Sequence, residues 1–133
     1  MTRIAIVYGS YHKKLVDRMV NAARSEAETR SLKIASEIAV PGSMEKPLAV
    51  KRLLLNKEID GVVVLGIIEK GETSHGFVMA QAVINSIIEL QVEFMKPVGV
   101  GILGPDINPS QLSTRLEPYA RAAVVAVNTM LNE

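Results

Sequence analysis

Short apolar runs alternate with segments of helical length along the whole chain, and this alternation limits the possible folds more than any other feature. Three runs are continuously apolar, which is typical of parallel strands buried on both faces. They cover residues 4–8, 61–65 and 98–103. A fourth run, residues 32–40, places Ile34 and Ile38 on one parity and Lys33 and Glu37 on the other. This alternation predicts a strand at a sheet edge, with one wetter face.

The segments between these runs carry helical patterns. Apolar residues recur at helical spacing over residues 13–29, which predicts an amphipathic helix. A second helix is expected to open at residues 43–47 and to continue to about residue 56, and a third to cover residues 77–95. Pro109 opens the last helical stretch. Pro118 is expected to divide it into a short helix and a longer one through residue 131.

The order βαβαβαβα predicts an α/β protein with right-handed crossovers and helices on both faces of the sheet. We expect a three-layer αβα sandwich with a four-stranded parallel sheet in the flavodoxin-like order 2-1-3-4. Residues 1–133 contain no repeat, linker or low-complexity tract, so we expect one domain.

The amino-acid composition argues against several classes of function. The chain has no cysteine and two histidines, which argues against a disulfide, a thiolate nucleophile or a zinc site, and a net charge of +1 without a basic cluster argues against nucleic-acid binding. The sequence has no signal-peptide pattern, and polar residues interrupt its longer apolar runs. We therefore expect a cytoplasmic protein that binds neither a membrane nor a metal.

Two segments are unusually poor in charge for helices that cover a sheet. Residues 77–95 are apolar nearly all round and carry only Glu89 and Glu93 as charges, and residues 120–127 carry only Arg121. A helix packed on one side of a sheet does not need a second apolar face. This composition predicts contacts between subunits of a homo-oligomer.

The stretch from Leu65 to His75 is the first candidate for a functional site. It connects a buried strand to a helix, and Gly66 and Gly71 would let it turn tightly near a ligand. Thr73 and Ser74 stand where a helix N-cap is expected, and the N–H groups of a first helical turn favour an anion. His75 adds a group that can transfer protons.

Two familiar users of this fold do not match the strand ends. A phosphorylation receiver needs an acidic pair after the first strand and an Asp after the third, where this chain has Gly9-Ser10 and Gly66. A flavodoxin needs a Ser/Thr-rich phosphate loop and flat aromatic residues against the flavin. This chain has no Trp and only Tyr11 nearby.

A third family does match. The segments Val40-Pro41-Gly42-Ser43-Met44-Glu45-Lys46-Pro47 and Gly71-Glu72-Thr73-Ser74-His75, followed by Lys96-Pro97-Val98 and Gly101-Ile102-Leu103-Gly104-Pro105, resemble 6,7-dimethyl-8-ribityllumazine synthase over nearly the whole chain. The resemblance implies condensation of 5-amino-6-(D-ribitylamino)uracil with 3,4-dihydroxy-2-butanone 4-phosphate, without cofactor or metal. It also implies a pentamer, alone or in a larger shell, with sites between neighbouring subunits.

The resemblance also assigns roles to residues. His75 would be the general acid/base, and phosphate would be bound by Arg115 with the backbone around Glu72 and Thr73. The other substrate would contact Tyr11, Ser43, Met44, Glu45, Ile67, Ile68, Glu69 and, from the next subunit, Val100.

The chain departs from the family at Ser10-Tyr11-His12 and at Met44, which leaves two alternatives open. These are a riboflavin synthase of the same fold and a non-catalytic binder of a flavin precursor. The retained Thr73-Ser74-His75 and Arg115 favour the lumazine synthase, since riboflavin synthase has no phosphate to hold.

Overall fold

A computed structural model describes residues 1–68, 73–105 and 107–133. Four parallel strands form one sheet in the order β2-β1-β3-β4, with helices on both faces, which confirms the predicted α/β fold and strand order. The elements are β1 (Arg3–Gly9), α1 (Lys13–Thr29), β2 (Lys33–Val40), a 3₁₀ turn (Ser43–Glu45), α2 (Lys46–Leu54), β3 (Gly61–Ile67), α3 (His75–Phe94), β4 (Val98–Leu103) and α4 (Pro109–Leu131).

The sheet separates two apolar cores because successive side chains of a strand point to opposite faces. On β1, Ile4 and Ile6 pack into the core beneath α1 and α4. Ala5 and Val7 pack into the core beneath α2 and α3. All four side chains are fully buried, as a central strand covered on both faces requires.

The edge strand β2 differs from its predicted pattern in one respect. Its pairing with β1 shifts register between Ile4 and Ala5, so that Ile4 lies opposite Ile34 whereas Ala5 lies opposite Ser36. The extra residue reverses the faces of the residues that follow it. Ile34 therefore packs on the α1/α4 side and Ile38 on the α2/α3 side, although the two share a sequence parity.

The prediction that Pro118 divides the last helix is wrong, because α4 continues through it from Pro109 to Leu131. Proline removes the hydrogen bond to the carbonyl four residues earlier, here that of Thr114. Both residues lie on the exposed side of the helix, where water can satisfy that carbonyl. Leu116 and Ala120, which flank the proline, are fully buried and hold the helix against the core.

Two glycines let α4 lie unusually close to β4. A Cβ built on Gly99 would lie 2.9 Å from the backbone carbonyl carbon of Ala123, and one on Gly101 would lie 3.2 Å from the carbonyl oxygen of Tyr119. No side chain fits at such distances without moving the helix. The glycines of β4 therefore set the position of α4, which carries Arg115.

The two charge-poor segments have different explanations. In residues 120–127 of α4, Ala120, Ala123, Val124 and Val127 are buried in the chain's own core, so most of the apolar composition does not require a subunit contact. In α3 only Ala80, Val83 and Ile87 are buried. The large apolar residues left exposed at this helix are Phe77, Val78, Ile88, Val92 and Met95.

Length and composition alone would also allow α3 to cross a membrane, and it is the one such helix within the described ranges. Its most apolar stretch has a mean hydropathy of 1.3, and 17% of that stretch is buried inside the chain. Polar residues interrupt the exposed surface, among them Gln81, Asn85 and Glu89. A protein partner suits such a mixed surface better than lipid does.

Candidate functional site

A pocket of about 490 Å³ opens beyond the carboxyl ends of β1 and β3, between the 3₁₀ turn and the first turn of α3. This is where ligands collect in open α/β sheets, because the connections diverge there. Its lining consists of Tyr11, His12, Gly42, Ser43, Met44, Glu45, Ile67, Ile68, Thr73, His75, Gly76 and Met79.

Most of the predicted site residues therefore meet in one pocket although they come from three separate segments of the chain. Tyr11 follows β1, the Ser43–Glu45 turn follows β2, and the third segment starts with Ile67 at the end of β3 and continues with Ile68, Thr73 and His75. Glu69 and Glu72 lie outside the described residues. Val100 and Arg115 are described but do not line this pocket.

One wall of the pocket is formed by Tyr11, whose side chain is 72% exposed. A Cβ built on Gly42 would lie 3.5 Å from Cε2 of Tyr11 and 3.4 Å from Oε1 of Glu45. An aromatic ring and a carboxylate thus approach the same point of the backbone at Gly42. The turn below is fixed by His12, whose left-handed backbone (φ 56°) begins α1 and whose carbonyl accepts N–H bonds from Leu15 and Val16.

The opposite wall is the N-terminus of α3. Ser74 is the N-cap residue, but its side chain makes no capping hydrogen bond. Instead the backbone N–H of His75 donates to Oγ1 of Thr73 at 3.3 Å. The helix begins at His75, two residues earlier than predicted, so the imidazole belongs to the first turn. The N–H groups of this turn carry partial positive charge and face the same space.

The floor is apolar and is held by the sheet. β3 continues to Ile67, and the N–H of Ile68 donates to the carbonyl of Leu103 at 2.7 Å, which extends the pairing with β4. Both isoleucine side chains are buried. The expected tight turn at Gly66 is wrong, because Gly66 lies inside β3. A Cβ there would collide with the side-chain nitrogen of Lys46, so this glycine provides space rather than a bend.

Lys46 was missed by the sequence analysis. Its side chain is 1% exposed, and its Nζ donates to Oγ of Ser43 at 3.3 Å. Burial lowers the pKa of this amine to about 8, because the charged form loses its hydration. The sequence did contain an indication, since Lys46 shares helical spacing with the buried Ala49, Val50 and Leu53.

Val100 and Arg115 lie elsewhere on the chain. Val100 is partly buried on β4, against the α2/α3 core, and Arg115 is exposed on α4. The neighbouring acid Glu117 pairs with Arg18 of α1 rather than with Arg115, and it accepts two hydrogen bonds of 2.8 and 2.9 Å from the Arg18 guanidinium. Among the described residues, no group of three or more His, Cys, Asp or Glu side chains is placed to hold a metal ion.

Strand order and pocket position define this chain as a flavodoxin-like α/β protein with a pocket beyond its strand ends, the position at which proteins of this fold class bind small molecules. The comparison with known families is more specific. A model of the family described as 6,7-dimethyl-8-ribityllumazine synthase matches residues 1–133, and the chain belongs to this family.

Individual relatives of this chain carry the same family name. The protein of that name from Staphylothermus marinus is 39% identical over 132 residues, covering 99% of this chain and 88% of the relative. The one from Picrophilus torridus is 37% identical, covering 98% and 96%. The one from Metallosphaera sedula is 38% identical, covering 92% and 81%. Among solved structures, the diflavin flavoprotein A3 from Nostoc sp. aligns with a TM-score of 0.49 and 14% identity over 98% of this chain and 94% of that one, which says nothing about function.

Proposed function

We propose that this pocket condenses 5-amino-6-(D-ribitylamino)uracil with 3,4-dihydroxy-2-butanone 4-phosphate, giving 6,7-dimethyl-8-ribityllumazine in riboflavin biosynthesis. The observation that carries the proposal is that an aromatic ring, hydrogen-bonding side chains, a helix N-terminus and a histidine face one space. About 490 Å³ lies within the range of pockets that hold small-molecule ligands.

The aminouracil is assigned to the part of the pocket nearest β1 and the 3₁₀ turn. Tyr11 stacks on the pyrimidine ring, since flat rings gain from offset stacking. The Ser43–Glu45 segment follows the ribityl chain, with the Glu45 carboxylate accepting from its hydroxyl groups. Ile67 and Ile68 lie along the ring edge, together with Glu69, whose position is outside the described residues.

The phosphate is assigned to the N-terminus of α3. Partial positive charge at a helix N-terminus favours an anion, and Thr73 stands there with the proposed backbone contact at Glu72. Arg115 is assigned to the same phosphate from a neighbouring subunit, and Val100 of that subunit to the pocket wall. This assignment accounts for the absence of both from the pocket lining within one chain.

The chemistry needs two substrates held together and protons moved between them. The amine of the uracil attacks the ketone carbon, and water leaves to give an imine. A proton then leaves C3 of the butanone phosphate and inorganic phosphate departs from C4, which gives an enol. The enol becomes a ketone as C4 takes up a proton, the ribitylamino nitrogen attacks this ketone, and ring closure releases a second water. His75 takes and returns these protons as general acid/base, while the pocket supplies proximity and orientation.

A homopentamer in the cytoplasm is the assembly that fits this assignment. The exposed apolar side chains of α3 need a partner, and a second copy of the chain would cover them while bringing Arg115 to the phosphate. Light scattering at micromolar concentration is expected to give a pentamer or a multiple of it. A monomer mass would refute both the assembly and the shared site.

The activity itself is tested by mixing the purified protein with both substrates and following lumazine fluorescence together with phosphate release. We expect both to appear in equal amounts. Formation of riboflavin from lumazine alone would identify a riboflavin synthase instead. Saturable binding of lumazine without any turnover would identify a non-catalytic binder.

Sharing of the site between subunits has its own test. His75→Ala and Arg115→Ala variants are unfolded together and refolded as a mixture. If each site takes His75 from one chain and Arg115 from its neighbour, random assembly gives an intact site at about a quarter of the interfaces. We expect about that fraction of wild-type turnover. Activity no higher than that of the separate variants would contradict the shared site.

A further inference from the structure

Lys46 places a buried amine directly beneath the pocket. It is the first residue of α2, and its side chain extends under the carboxyl ends of β1 and β3. A Cβ built on Gly9 would lie 3.7 Å from its Nζ, and one on Gly66 would collide with it. Each strand thus has a glycine, which carries no side chain, next to the amine. Glycine backbone borders the space of the amine on two sides.

Packing alone does not explain a lysine at this position. It lies on the helical stripe that includes the buried Ala49, Val50 and Leu53, where an aliphatic side chain would fill the same volume. Burying a charged amine costs free energy that an aliphatic residue does not spend. The amine therefore has to be explained by what its nitrogen contacts.

Within the described parts of the chain, Nζ of Lys46 has one hydrogen-bond acceptor, Oγ of Ser43 at 3.3 Å. Ser43 lines the pocket, whereas Lys46 does not. A hydroxyl group that accepts a bond from an ammonium keeps its own hydrogen free to turn elsewhere. Because Ser43 lines the pocket, that hydrogen is available to a ligand there.

We propose that Lys46 is a positioning residue that acts through Ser43: its ammonium occupies the Ser43 oxygen and directs the Ser43 O–H towards the ribityl hydroxyls of the aminouracil. When the ammonium loses its proton, the neutral amine becomes an acceptor, and the Ser43 O–H turns back towards it. The pocket then loses a donor to the substrate. This inference rests on the proposed function, in which Ser43 contacts the ribityl chain.

The proposal predicts a particular dependence on pH. Burial lowers the pKa of Lys46 to about 8, and no charged neighbour contributes to that shift. The titratable groups that line the neighbouring pocket, among the described residues, are Tyr11 and His12 after β1, Glu45 on the 3₁₀ turn and His75 on α3. The KM for the aminouracil should therefore be lowest below pH 8 and rise as Lys46 is deprotonated, while kcat and the KM for the phosphate substrate follow the other groups.

The test compares Lys46→Met, which keeps an unbranched side chain but lacks the terminal amine, with Lys51→Met on the exposed side of the same helix. Steady-state kinetics for each substrate are measured from pH 6.5 to 9.5. We expect Lys46→Met to raise the KM for the aminouracil roughly three- to tenfold at pH 7, the effect of one lost hydrogen bond, and to abolish its rise above pH 8. Lys51→Met should match the wild type. In a Ser43→Ala background, Lys46→Met should have no further effect on that KM.

Chemical rescue separates positioning from packing. The chain has no cysteine, so Lys46→Cys can be alkylated uniquely with 2-bromoethylamine while unfolded and then refolded. The resulting thioether amine is a weaker base than lysine. It should restore the low KM but move the rise in KM to lower pH. A wild-type KM and pH profile in Lys46→Met would overturn the proposal, as would equal weakening of both substrates.

Equilibrium binding of the aminouracil alone distinguishes failure of the Lys46 role from failure of the proposed catalytic function. If the wild type binds it with the Lys46-dependent pH profile but forms no lumazine, the proposed catalytic function fails and the role of Lys46 stands. If lumazine forms normally while the Kd for the aminouracil does not respond to Lys46→Met, the inference fails and the function stands.

Discussion

Replacement of Gly99 by alanine tests the close packing of α4 on β4. The added Cβ would lie 2.9 Å from the carbonyl carbon of Ala123 and 2.9 Å from Cγ2 of Val127. Val127 could turn aside, but the carbonyl belongs to the helix backbone, so relief requires the helix itself to move. Overpacking of a core typically costs 1–3 kcal/mol, and a backbone obstacle places this variant in the upper part of that range, at about 2–3 kcal/mol.

That cost converts into a measurable shift in Tm. The entropy of unfolding is about 2.1 cal/mol/K per residue, hence about 0.28 kcal/mol/K for a chain of this length, and the expected loss is about 7–11 °C. Calorimetry at one fixed protein concentration measures it, because assembly makes Tm depend on concentration. Gly9→Ala is the matched control, since its Cβ would meet nothing closer than Lys46 at 3.7 Å and should leave Tm within a few degrees. Equal shifts in the two variants would refute the packing argument.

Three further predictions concern single side chains. His75→Ala should lower turnover about 10- to 100-fold, at or below the lower end of the range for a positioned acid/base, while assembly stays intact; a larger loss in His12→Ala would mean that the wrong histidine has been assigned. Arg115→Ala should weaken the phosphate substrate by ~2–5 kcal/mol and leave the aminouracil nearly unaffected, whereas an arginine with only a surface role would cost about 0–1 kcal/mol for either. The hydrogen bond from Arg30 lowers the pKa of Glu26 in the folded protein. The stability that Glu26 contributes is therefore present above the ordinary carboxyl pKa and is lost as the pH falls through the lowered pKa. Glu26→Gln should therefore make the urea midpoint less sensitive to acid.

The sequence predicted the sheet well because its strands are strongly apolar and its crossovers are of helical length. Prediction from the sequence failed where tertiary packing overrode a local sequence preference. Pro118 remains within a helix because the carbonyl it leaves unpaired is exposed and both flanking turns are buried. Ile34 and Ile38 lie on opposite faces because of an irregularity in register that alternation cannot reveal.

For a similar reason, the sequence predicted most residues that line the candidate site but not the buried lysine beneath it. The lining residues could be assigned because they occur in contiguous motifs after the strands. Lys46 stands in one of those motifs but was given no role, and lysine is rarely buried. The bare backbone of Gly66, on another element of the fold, makes room for it.

Helix α3 buries a smaller share of its residues than the other helices do, and this has a consequence for local unfolding. α1 and α4 are joined by ion pairs such as Arg18 with Glu117, and each buries six residues, whereas the 20 residues of α3 bury three. Amide hydrogens exchange through local opening, whose free energy depends on the apolar contacts that opening breaks. In an isolated chain the amides of α3 would exchange well before those of α1 and α4. In an assembly that covers α3, they would be protected together with the rest, so the exchange rate of this single helix would report how much of the protein is assembled at a given dilution.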